Sequence, residues 1–119
     1  MKKINHDFLI NAPAWFDDFY RSLAKREVYS AKDPDIIAAT GKSREYVLRT
    51  FKKVTGQTLH SVLIHNRIEY AKKILRSTQK DIIDIAWDCG FDNLSTFYHV
   101  FRKSTGKTPK KYRDGFFYL

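Results

Sequence analysis

Apolar residues recur along this chain at helical spacing, broken by a few glycines and prolines. Between Thr58 and Arg76 there is neither Gly nor Pro, and Ile64, Ile68, Ala71 and Leu75 fall at i, i+4, i+7 and i+11. That is the buried stripe of a long amphipathic helix, about 28 Å at 1.5 Å per residue. Upstream, Trp15, Phe16, Phe19, Leu23 and Arg26 follow Pro13 at helical spacing and predict one helix over Trp15–Tyr29. Flanking the long helix are two shorter patterns. In the first, Ile36, Ile37 and Ala38 precede Gly41, and Ser43 is a good N-cap for a helix over roughly 44–54. In the second, Asp81 caps a helix carrying Ile82, Ile83, Ile85 and Ala86, and Gly90 takes a left-handed turn. Asp92 or Asn93 then caps a helix over roughly 94–104. Pro109, Tyr112 and the aromatic end Phe116–Leu119 predict a short closing helix, and residues 1–14 a loose lead-in.

The two short patterns are copies of each other. At an offset of fifty, Phe51 falls on Phe101, Lys52 on Arg102, Lys53 on Lys103, Thr55 on Thr105, Gly56 on Gly106 and Thr58 on Thr108. Upstream the offset is forty-nine, with Ile36–Ile37 on Ile85–Ala86 and Gly41 on Gly90, so the second copy has one extra residue in its turn. Two copies are too few for a solenoid and indicate a duplicated supersecondary unit. At 100° per residue, Val47, Phe51 and Val54 share one face, opposite Glu45, Leu48, Arg49 and Lys52. In the second copy Phe97, Phe101 and Ser104 face inward, and Ser95, Tyr98, His99 and Arg102 outward. Trp87, in the preceding helix, reads as core. Helix, tight turn and a helix with a basic outer face describe a helix-turn-helix unit, whose second helix enters the DNA major groove. A strut of the predicted length between two such units would set them near one turn of B-DNA, ~34 Å.

Charge follows the repeat. Of 119 residues, 22 are Lys or Arg and 13 Asp or Glu, for a net charge of +9. Residues 1–41 are balanced at six of each sign, whereas 42–113 carry sixteen cations and six acids. Such an excess favours a polyanion, nucleic acid before an anionic membrane. At 43% hydrophobic and 15% aromatic the chain has enough for a compact core. Apolar runs of only a few residues predict no membrane span and no signal peptide. The single cysteine, Cys89, excludes an intramolecular disulfide or multi-cysteine zinc site and suits a reducing cytoplasm.

At these residues the chain resembles the DNA-binding region of the AraC/XylS family of bacterial transcription regulators. The resemblance spans about 34–113. It is carried by Ile85-Ala86 with Gly90-Phe91, Phe97, Phe101-Arg102-Lys103, Gly106, Thr108-Pro109 and Tyr112-Arg113, and by Arg67, Ile68, Ala71 and Leu75 in the long helix. It implies an all-α fold of about seven helices, in which two helix-turn-helix lobes are joined by a linker helix. The division is then lead-in 1–14, lobe one about 15–56, linker about 58–77, lobe two about 80–114 and tail 115–119. The resemblance also implies transcriptional activation or repression at duplex DNA in the cytoplasm, no cofactor, and RNA polymerase as a protein partner. A ligand-sensing domain ahead of this region is expected to be missing, so that the chain is a fragment, with a complete stand-alone regulator as the alternative. Asp92-Asn93-Leu94-Ser95-Thr96-Phe97-Tyr98-His99-Val100-Phe101 is further similar to regulators of chitobiose utilisation. Ile37 in place of a small residue, Glu45 on the outer face, and His99 where the family usually has Arg are departures.

Base-reading candidates in the first lobe are Arg44, Glu45, Leu48 and Arg49. Arg49 has the reach for guanine O6/N7, with a phosphate clamp as the alternative. Arg44 is open between base and phosphate. Glu45 can accept from cytosine N4 or simply favour its own helix dipole. Leu48 can meet a thymine methyl or fill the surface. In the second lobe Leu94, Ser95, Tyr98 and His99 are candidate groove contacts, against phosphate contact with readout by DNA shape. Ser43, Lys53, Arg102, Lys103 and Lys107 are candidate phosphate partners. Phe51, Phe97 and Phe101 read as core.

Catalytic patterns are poor. Gly106-Lys107-Thr108 imitates the end of a phosphate-binding loop, but Phe101 stands where that pattern needs Gly. His60 and His65 lie about 140° apart round a helix, unsuited to chelation, and read as solvated. Cys89 reads as a buried thiol. No enzyme and no metal site is expected. The rivals are a less specific basic module for RNA or membrane, and a protein-interaction module using the charge-balanced segment 1–41. Two reading helices in one chain predict a monomer on an asymmetric site.

Overall fold

The computed structural model describes residues 12–117, with side chains through Gly115. Among the described residues there are eight helices and no strand: α1 Ala14–Ser22, α2 Arg26–Tyr29, α3 Asp33–Ala38, α4 Arg44–Thr55, α5 Leu59–Ser77, α6 Ile82–Asp88, α7 Leu94–Thr105 and α8 Pro109–Phe117. The chain divides into two compact units, Met1–Asn66 and Arg67–Leu119, with the division inside α5.

In the first unit α1, α3 and α4 surround a core built on Phe16, Leu23, Ile36, Val47, Phe51 and Leu63, all at most 4% exposed. Phe51 is its aromatic centre, with ring centroids 5.7 Å from Phe16, 6.4 Å from Phe19 and 6.0 Å from Tyr20. Trp15 packs on Tyr46 at 5.7 Å and its Nε1–H donates to the Tyr46 hydroxyl at 3.4 Å. The pattern predicts one helix over Trp15–Tyr29, but the chain breaks after Ser22 and resumes as α2. The break is held by local bonds that spacing does not reveal. Leu23, Ala24 and Lys25 donate backward over three residues. The Ser22 hydroxyl donates to Phe19 O at 2.6 Å, and Asn66 Nδ2 donates to Leu23 O at 2.9 Å, satisfying a carbonyl that the helix leaves free.

In the second unit the core is Ile68, Ala71, Leu75, Ile85, Phe97 and Phe101, at most 3% exposed. Phe97 stands 5.2 Å from Phe91 and 5.6 Å from Phe101, whose other side meets Tyr112 edge-on at 5.4 Å. Arg113 ties α8 down: its Nε donates to Leu75 O at 3.0 Å and its Nη2 to Lys80 O at 2.7 Å. Cys89 is fully buried, as its sequence context predicts. Burial pushes the thiol up to about 12, against a smaller downward pull from the neighbouring charge of Arg67. Arg67 itself is only 5% exposed, a buried cation that apolar periodicity has no means of marking.

Four expectations about burial and capping need correction. Trp87 is 62% exposed rather than core, and Ile83, one turn before it, is 44% exposed. Ser104 is exposed although it aligns with buried Val54. In the first unit Ala12 and Pro13 lie in a groove with Val54. Ile64 is half-buried, with Val62 and Leu63 taking the interior places beside it. Asp81 occupies the N-cap position of α6 but makes no side-chain capping bond.

Candidate nucleic-acid interface

Each unit presents one capped helix on an aromatic base. Ser43 Oγ accepts from Tyr46 N at 3.3 Å at the start of α4, and Asn93 Oδ1 accepts from Thr96 N at 2.8 Å at the start of α7. Of the two capping residues left open at the second site, Asn93 is the one used. Both caps satisfy a free first-turn N–H at its third residue, so the extra residue in the second turn is absorbed before the helix begins.

The far ends are built alike as well. Thr55 Oγ1 shares its proton between Phe51 O at 2.8 Å and Gln57 O at 3.1 Å, and accepts from Gln57 N at 3.0 Å. Thr105 Oγ1 does the same with Phe101 O at 2.8 Å, Lys107 O at 3.0 Å and Lys107 N at 3.2 Å. Between hydroxyl and turn sit Gly56 and Gly106 at φ 75° and 80°, each donating to the carbonyl four residues back. An L side chain there would have open space but the wrong backbone conformation. Thr58 and Thr108 then accept from Ser61 N and Lys111 N, both at 3.1 Å. Four repeated residues, Phe51, Thr55, Gly56 and Thr58 on Phe101, Thr105, Gly106 and Thr108, thus anchor one repeated clamp.

On this frame the outer faces differ. Along α4, Arg44, Glu45, Arg49, Lys52 and Lys53 are exposed, Leu48 is half-buried, and Val47, Phe51 and Val54 are buried. Arg49 and Lys53 line one groove with Tyr46 and Thr50, so a candidate reader and a candidate phosphate partner lie on the same flank. Along α7, Ser95, His99, Arg102 and Lys103 are exposed and Leu94 and Tyr98 half-buried. Tyr98, His99, Arg102 and Lys103 share a groove with Gly106 and Thr108, and Lys107 lines the adjoining one with Lys111. The grooves thus bring Arg49 together with Lys53 in the first unit, and Tyr98 and His99 together with Arg102 and Lys103 in the second. Lys111 was not singled out by sequence reasoning. Its signal was the alignment with Ser61 at the same offset that pairs Gly56 with Gly106.

The helix-turn-helix domain family matches residues 36–115. The chain belongs to this family, in its AraC-type branch of transcription regulators. Among AraC-type relatives, the regulatory protein SoxS of Escherichia coli (strain K12) is 35% identical over 100 residues, 84% of this chain and 87% of its own length. The xylose operon regulatory protein of the same strain is 37% identical over 83 residues, 70% of this chain. The chain spans about a fifth of that relative, 21% of its length. The AraC-type fold is also seen in the DNA-binding domain of the global transcriptional factor AdpA, solved in complex with a target DNA. That domain matches with a TM-score of 0.73 at 23% identity, over 88% of this chain and 94% of its own.

The family's architecture accounts for features that imitate other chemistry. Gly106-Lys107-Thr108 is the clamp between α7 and α8, preceded by a helix. His60 is solvent-exposed and its Nδ1 lies 3.0 Å from Asp33 Oδ2, while His65 is half-buried. Among the described residues no group of three His, Cys, Asp or Glu could hold a metal, and no helix is long and apolar enough to cross a membrane.

Proposed function

We propose that this chain binds duplex DNA sequence-specifically in transcriptional regulation, with α4 and α7 as its major-groove helices. The observation that carries the proposal is the repetition of one frame: an exposed polar and basic helix face, capped at one end and clamped at the other, over a buried aromatic row. That is what docking a helix in a groove requires, since the contacting side chains are free while the backbone is fixed. In this reading Arg44, Glu45, Leu48 and Arg49 of α4, and Leu94, Ser95, Tyr98 and His99 of α7, face base edges. Ser43, Lys53, Arg102, Lys103 and Lys107 take phosphates. One chain carries both helices, so it binds as a monomer to an asymmetric site. RNA polymerase and a ligand-sensing domain belong to the whole regulator in this reading.

Selection of bound sequences from random duplex DNA tests the proposal. The expected outcome is one asymmetric motif, preferred over scrambled DNA by ~10³-fold or more at moderate salt. Equal affinity for selected and scrambled duplexes would overturn it and leave a general polyanion binder.

A further inference from the structure

Tyr46 joins the core of the first unit to its outer face. It is the third residue of α4, where its N–H donates to the Ser43 cap. Its half-buried ring lines a groove with Arg49, Thr50 and Lys53, which follow at i+3, i+4 and i+7 on the same flank. Trp15 of α1 packs against it, with ring centroids 5.7 Å apart and planes tilted by 54°. The indole is itself held by Phe16 and Phe19, each at 5.8 Å, and those two rings pack on Phe51. A row of rings thus runs from the centre of the core to the phenol. The hydrogen bond between Trp15 and Tyr46 has a fixed direction. Indole Nε1–H can only donate, so in the 3.4 Å contact the Tyr46 hydroxyl is the acceptor. The phenol keeps its own proton for a further partner, and among the described residues no acceptor takes it. The groove it lines holds two exposed cations, Arg49 and Lys53, and no carboxylate. The equivalent position in the second unit is Thr96, which has the same capping bond through its N–H but no ring.

We propose that the Tyr46 hydroxyl donates to a phosphodiester oxygen of the bound duplex, and that Trp15 is its positioning residue. The inference rests on the duplex-DNA reading above. It extends the working surface to α1, ahead of the residues 36–115 that the family matches. Two flanking cations favour an anionic acceptor at this place, and a hydroxyl donor adds direction where an ammonium adds charge. The indole engages a lone pair on one side of the phenol oxygen, which leaves the phenol proton to turn away from α1. The aromatic row then fixes the indole, so that the donor is held in place before DNA arrives.

The test is a double-mutant cycle read in DNA binding. Tyr46→Phe removes the hydroxyl and keeps the ring; Trp15→Phe removes the indole N–H and keeps an aromatic side chain. Affinities of the parent, both single variants and the double variant are measured on the selected duplex and on a scrambled duplex of equal length, across a salt series and below the melting temperature of each protein. Tyr46→Phe should weaken both duplexes ~10-fold, as loss of a hydrogen bond to a charged group does, and leave the salt slope unchanged because no charge is lost. Trp15→Phe should weaken both ~3-fold in the parent and add nothing in the Tyr46→Phe background. Parent-like binding by Tyr46→Phe, or a loss confined to the selected duplex, would overturn the phosphate contact. Additive losses, or a lowered melting temperature for Trp15→Phe with binding intact, would overturn the positioning role and leave Trp15 as packing. If the parent chain does not discriminate between duplexes, the sequence-specific reading fails, while the cycle still reports on the hydroxyl.

Discussion

Phe51 and Phe101 occupy equivalent places in two copies of one unit, yet they are enclosed by different means. Around Phe51 stand Phe16, Phe19 and Tyr20, all from a helix ahead of the repeat. Phe101 is held by Phe97 from its own helix and Tyr112 from the helix that follows. Position 54 is buried and shares a groove with Ala12 and Pro13, whereas position 104 is open to solvent. The two copies thus share a frame of caps, clamp and aromatic centre, and have acquired separate coverings. The apolar flank of the first copy is closed by rings of α1, and that of the second by Tyr112 of α8.

The sharpest way to break this equivalence is to empty the centres. Phe51→Ala and Phe101→Ala should each cost ~3–5 kcal/mol in chemical denaturation, since both rings are fully buried and neither void can collapse without moving a helix. If either proved nearly neutral, the two aromatic centres would not be equivalent supports.

The next effect separates reading from support. Arg49→Ala removes an exposed side chain from α4 and should leave circular dichroism unchanged. In binding titrations it should cost ~1–3 kcal/mol on the selected duplex and relax preference at one base pair. Lys53→Ala and Lys103→Ala should weaken selected and scrambled duplexes alike, each lowering the salt slope by about one. Equal weakening of all DNA by Arg49→Ala would make it a phosphate contact and move base reading to Tyr98 and His99.

The caps give a smaller, graded effect. Ser43→Ala and Asn93→Ala should each lose on the order of 1 kcal/mol in thermal or chemical melting. The shorter bond at Asn93, 2.8 Å against 3.3 Å, predicts the larger loss there.

The smallest effect at neutral pH lies at the residue before each turn glycine. Thr40 Oγ1 donates to Ile37 O at 2.7 Å, and its counterpart Cys89 points its thiol at Ala86 O at 3.5 Å. Burial raises the Cys89 thiol to about 12 in the folded chain, so the folded state holds its proton more tightly than the unfolded one. Its contribution to stability is therefore complete below the ordinary thiol value of about 8.5, and is lost as pH rises from there towards 12. Denaturation between pH 9 and 11 should show a steeper decline in the parent chain than in Cys89→Ala, in which the raised Tyr20 and Lys80 still contribute. Parallel curves for the two would remove the linkage.

Much of the frame was legible from residue pattern alone. Ser43, Gly56, Gly90 and Gly106 mark caps and turns by local chemistry, and Phe51 and Phe101 mark the buried side of an amphipathic helix. The faces of α4 and α7 follow from the same period, so the candidate clusters were legible as well. The failures lie where tertiary surroundings decide. The apolar character of Trp87 predicts an interior place, although the repeat aligns it with Ala38, which is exposed. Period alone predicts Ser104 inward, although it is exposed. At the break after Ser22 the Leu23 carbonyl is satisfied by Asn66, forty-three residues further on, and no local window contains that bond.

The hydroxyl clamp has a consequence for how such a molecule can diverge. The bonds of Thr55 and Thr105 run to main-chain atoms of residues 57 and 107, so they are indifferent to the side chains at those positions. The caps likewise bind main-chain N–H groups and leave the outward positions of each helix unconstrained. Mutations that change what a helix touches and mutations that change whether it folds therefore fall on separate residues. An arginine–glutamate surface and a tyrosine–histidine surface can therefore stand on the same scaffold.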